Sequence, residues 1–471
     1  MRAFRVKKRS VPALQARLRR LARQDPLLSS AGRLAADSGV SLWVVGGWVR
    51  DAALGRRADD VDLVAGAGAL RLVRALALAW DRRAFRFRKR GVTTWRIVVE
   101  GRRVDLVDGS RRGLEADLAR RELTINAIAF DLVGGVVIDP LGGLADLESG
   151  TLRLPRAGVL REDPIRALRV ARFLAAIPGA RLAASTAREA RAAAGRVRRA
   201  SVERVRDEID RLLSSTAPSL GLAAMTRLGL LPAALPELVP MGTCPAGEGR
   251  PNAWVHTERA LALAARPGRL PGGAAVRGPE PTRVLRWSLL LHDMAKPETL
   301  SRGAGGRPTF HGHEVQGSRA ADRLLRRLRL PSTLRRRVAR LVLFHLRPHH
   351  LADAGAPERG LRRLVRDAGD DLPLLVLHAA CDARASGAPD GAARWRRLRP
   401  VLTALLKLHH DSLARPLPRL VDGNDVMRAL RLPPGPEVGS VLHEVREMQE
   451  QGVIVDRAQA LSHLKALSAR P

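Results

Sequence analysis

Between about residues 30 and 150, short apolar runs alternate with segments of helical period, an α/β-type pattern. Runs at 42–45, 61–64, 95–99, 103–107, 127–131 and 136–138 predict strands. Gly134-Gly135 predicts a hairpin turn between the last two. Beyond Asp163 the pattern turns helical and stays so to the end. Val202, Val205, Ile209, Leu212 and Leu213, for example, fall on one helical face. Pro/Gly-rich stretches at 266–282 and 351–358 predict loops. The expected fold class is α+β, a small mixed β-sheet followed by all-α regions.

The chain has 471 residues, enough for about three or four domains. Apolar residues make up 45%, which supports real cores, yet no run is long enough to cross a bilayer. The basic N-terminus has no apolar segment of signal-peptide type. Cys244 and Cys381 are the only cysteines, so a disulfide framework is not expected and a cytoplasmic location fits. The net charge of +35 points to a polyanionic partner, most simply nucleic acid. Aromatic residues are only 3%, which argues against broad base-stacking platforms.

The chemistry concentrates in Val44-Val45-Gly46-Gly47-Trp48-Val49-Arg50-Asp51 and Asp60-Val61-Asp62. A strand runs into a glycine pair, and an arginine follows at the start of a predicted helix. Glycines let backbone N–H groups approach a phosphate, and a helix N-terminus favours negative charge. Asp60 and Asp62, two apart on a predicted strand, project to one face. Paired carboxylates beside a phosphate cradle suit two-metal phosphoryl transfer.

These motifs, with Asp117-Leu118-Ala119-Arg120-Arg121-Glu122-Leu123-Thr124-Ile125-Asn126 and Glu162-Asp163-Pro164-Ile165-Arg166-Ala167-Leu168-Arg169, resemble the bacterial tRNA nucleotidyltransferase / poly(A) polymerase family. The resemblance covers nearly the whole chain. It implies Asp60 and Asp62 as ligands of Mg²⁺, with Asp105 as the third carboxylate. Gly46, Gly47, Arg50, Asp117, Arg120, Asn126 and Arg169 are implied at the nucleotide, with Asp117 steadying Arg120. Asp163 and Arg166, three apart on one predicted helix face, are implied to mimic a Watson–Crick edge. An Asp acceptor beside an Arg donor complements cytosine and adenine and rejects uracil and guanine. The family's usual Asp-Phe after the two arginines is replaced by Glu122-Leu123. The segment between Asp108 and Asp117 is short, similar to forms that add only CC, only A, or poly(A).

His256, His292-Asp293, His313, His345 and Asp382, with Leu290-Leu291-His292-Asp293-Met294-Ala295-Lys296-Pro297, resemble the HD phosphohydrolase superfamily. The resemblance implies His256, His292, Asp293 and Asp382 around an unidentified divalent metal. His313 and His345 are implied at a second metal or at phosphate, with Lys296 aiding the anion.

The two resemblances imply a basic N-terminal extension (1–30), a nucleotidyltransferase head (31–150), a helical nucleotide- and RNA-binding neck (151–240), an HD domain (241–392) and a helical tail (393–471). The basic run 191–206 is an expected RNA track. Gly423 and Asp425 in the tail are expected turn and cap residues. The implied function is template-independent transfer of CMP and AMP from CTP and ATP to a tRNA 3′ end, with an HD phosphohydrolase activity. The alternatives are a poly(A) polymerase acting on general RNA 3′ ends, an HD phosphohydrolase whose head only positions RNA, and a silent RNA-binding module. Intact Asp60, Asp62, Arg50 and Arg120 argue against the last two. No membrane partner is expected, and the oligomeric state stays open.

Overall fold

The computed structural model describes residues 11–58, 60–89, 91–247, 249, 251–268, 270–387, 391–414, 418–450 and 453–468. The first ten residues of the expected N-terminal extension lie outside them. The chain divides into two compact units, Met1–Val239 with Arg327–Arg329, and Pro240–Arg326 with Leu330–Pro471.

In the first unit, β1 (Leu42–Val45), β2 (Val61–Ala65), β3 (Ala84–Lys89), β4 (Val92–Val99), β5 (Arg102–Asp108), β6 (Ala129–Asp131) and β7 (Val137–Ile138) form one sheet. Its order is β3-β4-β5-β2-β1-β6-β7. β2 and β5 run parallel and the other pairs antiparallel, so the sheet is mixed. Helices α1 (Val11–Gln24) and α2 (Pro26–Asp37) precede it, and α3 (Gly47–Ala53), α4 (Ala69–Ala79), α5 (Gly113–Ala119) and α6 (Gly143–Ser149) punctuate it. Leu42, Val44, Leu63 and Leu106 bury one face of its centre. Asp25 caps α2 through the Leu27 amide and takes both terminal nitrogens of Arg102 at 3.0 and 2.7 Å. The stretch 11–30 is thus helical and tied to the start of β5.

The rest of the first unit carries a two-residue parallel ladder, β8 (Thr151–Leu152) with β9 (Arg181–Leu182), and helices α7 (Val159–Glu162), α8 (Ile165–Ala176), α9 (Ala184–Ala193), α10 (Val202–Leu213), α11 (Pro218–Arg227) and α12 (Leu231–Ala234). Val205, Ile209, Leu212 and Leu213 form the buried face of α10 as the periodicity predicts.

The second unit is helical: α13 (Ala253–Ala264), α14 (Pro279–Leu291), α15 (Lys296–Thr299), α16 (His313–Arg327, whose last residue belongs to the first unit), α17 (Ser332–Phe344), α18 (Arg347–Asp353), α19 (Glu358–Ala368), α20 (Leu372–Ala385) and α21 (Gly391–Ala414). A two-residue hairpin, β10 (Ser301–Arg302) with β11 (Pro308–Thr309), interrupts it. Helices α22 (Gly423–Leu430), α23 (Pro436–Glu450) and α24 (Arg457–Ser468) close a separate small core around Val426, Val445, Ala460 and Leu464. Asp422 and Asp425 cap α22 reciprocally, the turn-and-cap role expected there.

Three local details differ from the pattern. Strand β3 is not among the predicted strands, although Phe85 and Phe87 alternate with Arg86 and Arg88 along its six residues. Asp60 sits one residue before β2 rather than within it. Asp163 is not on a helix face: it is extended (φ −145°, ψ 91°) between α7 and α8. Pro164 explains this, since its ring disfavours the helical region for the preceding residue.

Candidate functional site

The first site forms on the sheet face opposite Leu63 and Leu106, beside the part that α5 covers. Asp62 on β2 and Asp105 on β5 are register partners, and parallel pairing puts both side chains on one face. Arg96 on β4 faces Asp105 and grips it with two hydrogen bonds of 2.7 Å. Two residues back along both segments, Arg103 grips Asp60 in the same forked way. Asp62 has the weakest such partner, Arg121 Nη1 at 3.6 Å. Its side chain is 49% accessible and opens into the cleft. The protein mass around the carboxyl raises its pKa; Arg121 opposes this, while Asp105, Glu122 and Asp117 add to it.

The turn from β1 into α3 explains the glycine pair. Gly46 has φ +74°, and a Cβ there would collide with the Arg121 guanidinium. Its amide donates to Ile128 O at 3.1 Å. Arg50, on α3, donates twice to its neighbour Asp51 (2.9 and 2.7 Å) and once to Asn126 Oδ1 (2.6 Å). Asn126 in turn donates to Glu122 Oε1 at 2.9 Å. A cleft of about 700 Å³ contains Gly47, Arg50, the three carboxylates and Arg169.

Across this cleft α8 contributes a cationic wall. Arg169 donates to Glu208 at 2.7 Å, and Arg172 lies 3.0 Å from the same carboxylate. Against the burial that would raise it, Arg169 pulls the Glu122 carboxyl down to about 2. Burial lowers Arg172 to about 10 despite Glu208. The guanidiniums of Arg50 and Arg172 both pack on the Phe173 ring, at 5.1 and 4.3 Å.

Several expected site residues lie off the cleft wall. Asp117 accepts from Arg121 (3.1 and 3.2 Å), four residues on, rather than from Arg120, because α5 ends at Ala119 and the chain turns there. Arg121, not Arg120, lines the cleft beside Asp62. Asp163 is buried and accepts from Arg204 at 3.0 and 2.7 Å; Arg166 Nε lies 4.0 Å from it. Arg169 reaches the cleft, whereas Asp163 and Arg166 are not in its lining. Sequence reasoning passed over Arg96, Arg103, Arg121, Glu122 and Arg172. Arg121 had a readable signal, its i+4 spacing from Asp117. Arg96 and Arg103 required the strand register.

The second site lies wholly in the second unit. His292, His313 and His345 follow one local rule. Each points Nδ1 at the carbonyl three residues earlier, at 2.8, 2.7 and 2.6 Å. This bond places a proton on Nδ1 and turns Nε2 inward. His313 Nε2 and His345 Nε2 then stand 3.3 Å apart, and His292 Nε2 is buried without a hydrogen-bond partner. Two ligand groups result: His256, His292 and Asp382, and Asp293, His313 and His345. The expectation put Asp293 with the first group; its Oδ2 is 3.3 Å from His292 Nε2 and its Oδ1 3.6 Å from His313 Nε2, so it lies between the two.

Lys296 Nζ donates to Asp293 at 2.7 Å. Against the burial that would raise it, His292 and Lys296 hold Asp293 well below the usual carboxylate range. Burial, reinforced by the neighbouring imidazoles, holds His345 well below the usual histidine value. Two further histidines escaped sequence reading. His349 lies 3.2 Å from Asp382 Oδ2, and fully buried His378 packs 5.3 Å from the His292 ring. Burial pushes His378 down to about 3. A cavity of about 270 Å³ opens onto Asp293, His313, His345 and Asp382, with Arg394 and Arg397 in its wall.

No helix among the described residues is long and apolar enough to cross a membrane. Three family models match: the poly A polymerase head domain over residues 42–153, the "Probable RNA and SrmB- binding site of polymerase A" over 179–241, and the HD domain over 254–384. The chain is 35% identical to the A-adding tRNA nucleotidyltransferase of Deinococcus radiodurans, covering 87% of this chain and 92% of that one. It is 34% identical to the CC-adding tRNA nucleotidyltransferase of Thermus thermophilus, covering 89% and 92%. The fold matches the Thermotoga maritima CCA-adding enzyme complexed with tRNA at a TM-score of 0.62 and 18% identity, covering 98% of both chains.

Proposed function

The chain belongs to the tRNA nucleotidyltransferase / poly(A) polymerase family, and we propose that it transfers CMP or AMP from CTP or ATP to the 3′ end of tRNA without a template. The observation that carries this reading is the facing pair Asp62 and Asp105 beside the Gly46–Arg50 turn, with a cationic wall opposite. The crowding of Asp60, Asp62 and Asp105, and the raised pKa of Asp62, fit a site built for divalent cations. Asp60, Asp62 and Asp105 would hold Mg²⁺, which when bound neutralises phosphate charge and acidifies the attacking 3′-hydroxyl.

The remaining roles fall to the chain's own groups. Arg50, locked by Asp51 and Asn126, and the Gly47 amide bind the triphosphate. Arg169 and Arg172, braced by Glu208, neutralise the same charge from the opposite wall. Arg121, pinned by Asp117, orients Asp62. By the family resemblance Asp163 and Arg166 would select cytosine and adenine by their acceptor and donor edges; since Asp163 is buried on Arg204 and neither lines the cleft, that role requires them to turn toward it. Only four residues separate β5 from α5, and Gly109 O closes them by accepting from the Arg112 and Gly113 amides at 3.3 and 2.8 Å. So short an ordered connection supports addition of part of the CCA end rather than all of it.

The inward-turned Nε2 atoms of His292, His313 and His345, grouped with Asp293, His256 and Asp382, fit a divalent-metal centre in the HD domain. His256, His292, Asp382, Asp293, His313 and His345 would hold it, and a bound metal supplies a nucleophilic water. Lys296, Arg394 and Arg397 suit an anionic phosphate ester, such as a damaged RNA 3′ terminus.

The discriminating experiment offers CTP or ATP with a 3′-trimmed tRNA and with an unrelated RNA hairpin of equal length. Incorporation into the tRNA alone is expected. Equal incorporation into both would favour general polyadenylation.

A further inference from the structure

The carboxylate face of the sheet does not end at Asp105. Register pairing continues in one row from Asp62 through Asp105 and Arg96 to Phe85. Phe87 lies two residues further along β3 on the same face, where the Arg96 guanidinium packs 5.4 Å from its ring. Phe85 is 61% and Phe87 37% exposed, although the chain has only seven Phe and no Tyr. Val98, 40% exposed, extends this apolar strip. β3 is a sheet edge; Arg86 and Arg88 alternate with the two rings and lie on its reverse face, while Arg82 and Arg83 precede it, all four exposed. Two exposed aromatic rings sharing one face with Arg96, at an arginine-rich edge, are the combination that stacks unpaired bases while tracking their phosphates.

The direction of the chemistry says which nucleic acid would lie there. In-line phosphoryl transfer keeps the attacking hydroxyl and the leaving pyrophosphate on opposite sides of the reacting phosphorus. The triphosphate cradle, Gly47 and Arg50, follows β1, on one side of the β2–β5 carboxylates. The hydroxyl must then arrive from the other side, over β4 and β3. Strands spaced about 4.8 Å apart put Phe85 about 10 Å from Asp105 and about 14 Å from Asp62. That is the reach of about three or four bases stacked at ~3.4 Å.

We propose that Phe85 and Phe87 form a stacking ledge for the unpaired 3′-terminal bases of the RNA acceptor, setting the approach of its hydroxyl to the carboxylates. This rests on the nucleotidyl-transfer reading above. Both are positioning residues, and their rings support no core whose loss would unfold the head.

The test compares the unaltered full-length chain with Phe85→Leu/Phe87→Leu and Phe85→Trp/Phe87→Trp. The readouts are addition kinetics and the fluorescence of a tRNA carrying 2-aminopurine near its 3′ end. In the leucine variant, the KM for tRNA should rise about tenfold or more with the KM for CTP and ATP unchanged. The 2-aminopurine quenching seen with the unaltered chain should be lost there and restored by tryptophan. An unchanged tRNA KM with unchanged quenching would overturn the proposal. So would a dimer, seen by sedimentation, that the leucine variant loses, because the edge would then serve a second copy of the chain. If the unaltered chain quenches but adds nothing, the ledge stands and the transfer reading fails.

Discussion

Asp62 and Asp105 face each other across the parallel pair β2–β5, and Arg96 holds Asp105 from the next strand with two bonds of 2.7 Å. Both carboxylate oxygens of Asp105 are thereby held in place by Arg96, on the strand next to Asp62. Replacing Asp105 with Ala should lower kcat for nucleotide addition by about 10²–10³, the usual cost of removing one electrostatic stabiliser of a transition state. tRNA binding, followed by filter retention, should stay within twofold. A kcat within a few-fold of the unaltered chain would remove Asp105 from the site.

Gly46 and Arg121 are in steric contact through the empty side of the glycine. Gly46→Ala adds a methyl group at φ +74° and pushes on a guanidinium that serves both Asp62 and Asp117. The expected result is a loss of about 1–3 kcal/mol in the stability of the head together with reduced addition. Chemical denaturation of the variant checks the first and the addition assay the second.

Arg204 acts on base choice through Asp163. Its two bonds fix the carboxylate whose acceptor edge is assigned to cytosine and adenine. Arg204→Ala should narrow the preference for CTP or ATP over UTP by about tenfold in kcat/KM. An unchanged ratio would leave Arg204 as packing alone.

The HD centre should be separable from nucleotide addition. His313→Ala or Asp293→Asn should reduce the bound divalent metal measured by elemental analysis and abolish release of phosphate from 3′-phosphorylated RNA. The addition rate should remain within a few-fold. Undiminished metal content would contradict the ligand assignment.

His378 makes a pH prediction with a definite sign. Burial lowers its folded pKa to about 3, well below the ordinary imidazole range, so at intermediate pH the unfolded chain binds the extra proton. Its contribution to stability is therefore complete above about pH 6.5 and is lost as pH falls toward 3. With chelator present, the unaltered chain should lose up to about 1.4 kcal/mol per pH unit more than His378→Leu across that window. Parallel stability curves would contradict this.

The sequence made the strand–glycine–helix turn, the α10 face, the capped tail helix and the histidine and carboxylate positions of the HD centre legible. Each depends on local spacing or on a strong residue type. Arg96, Arg103 and the Phe85–Phe87 face were not legible, since they matter only through the register of strands far apart in sequence. β3 was passed over although Phe85 and Phe87 alternate with Arg86 and Arg88, the two-residue period of a strand, over a run of only six residues. Asp163 escaped its true backbone state because the effect of Pro164 on its predecessor outweighed the helical period around it.

The central claim is that this chain adds C or A to tRNA at Asp60, Asp62 and Asp105. Its most direct test incubates the intact chain and Asp62→Ala with tRNAs ending at the discriminator base, at C and at CC, each with every nucleoside triphosphate. The intact chain should extend at least one of these ends with CTP or ATP and none with UTP or GTP. Asp62→Ala should extend none while binding tRNA as before. Equal extension by Asp62→Ala, or no extension by the intact chain, would contradict the account.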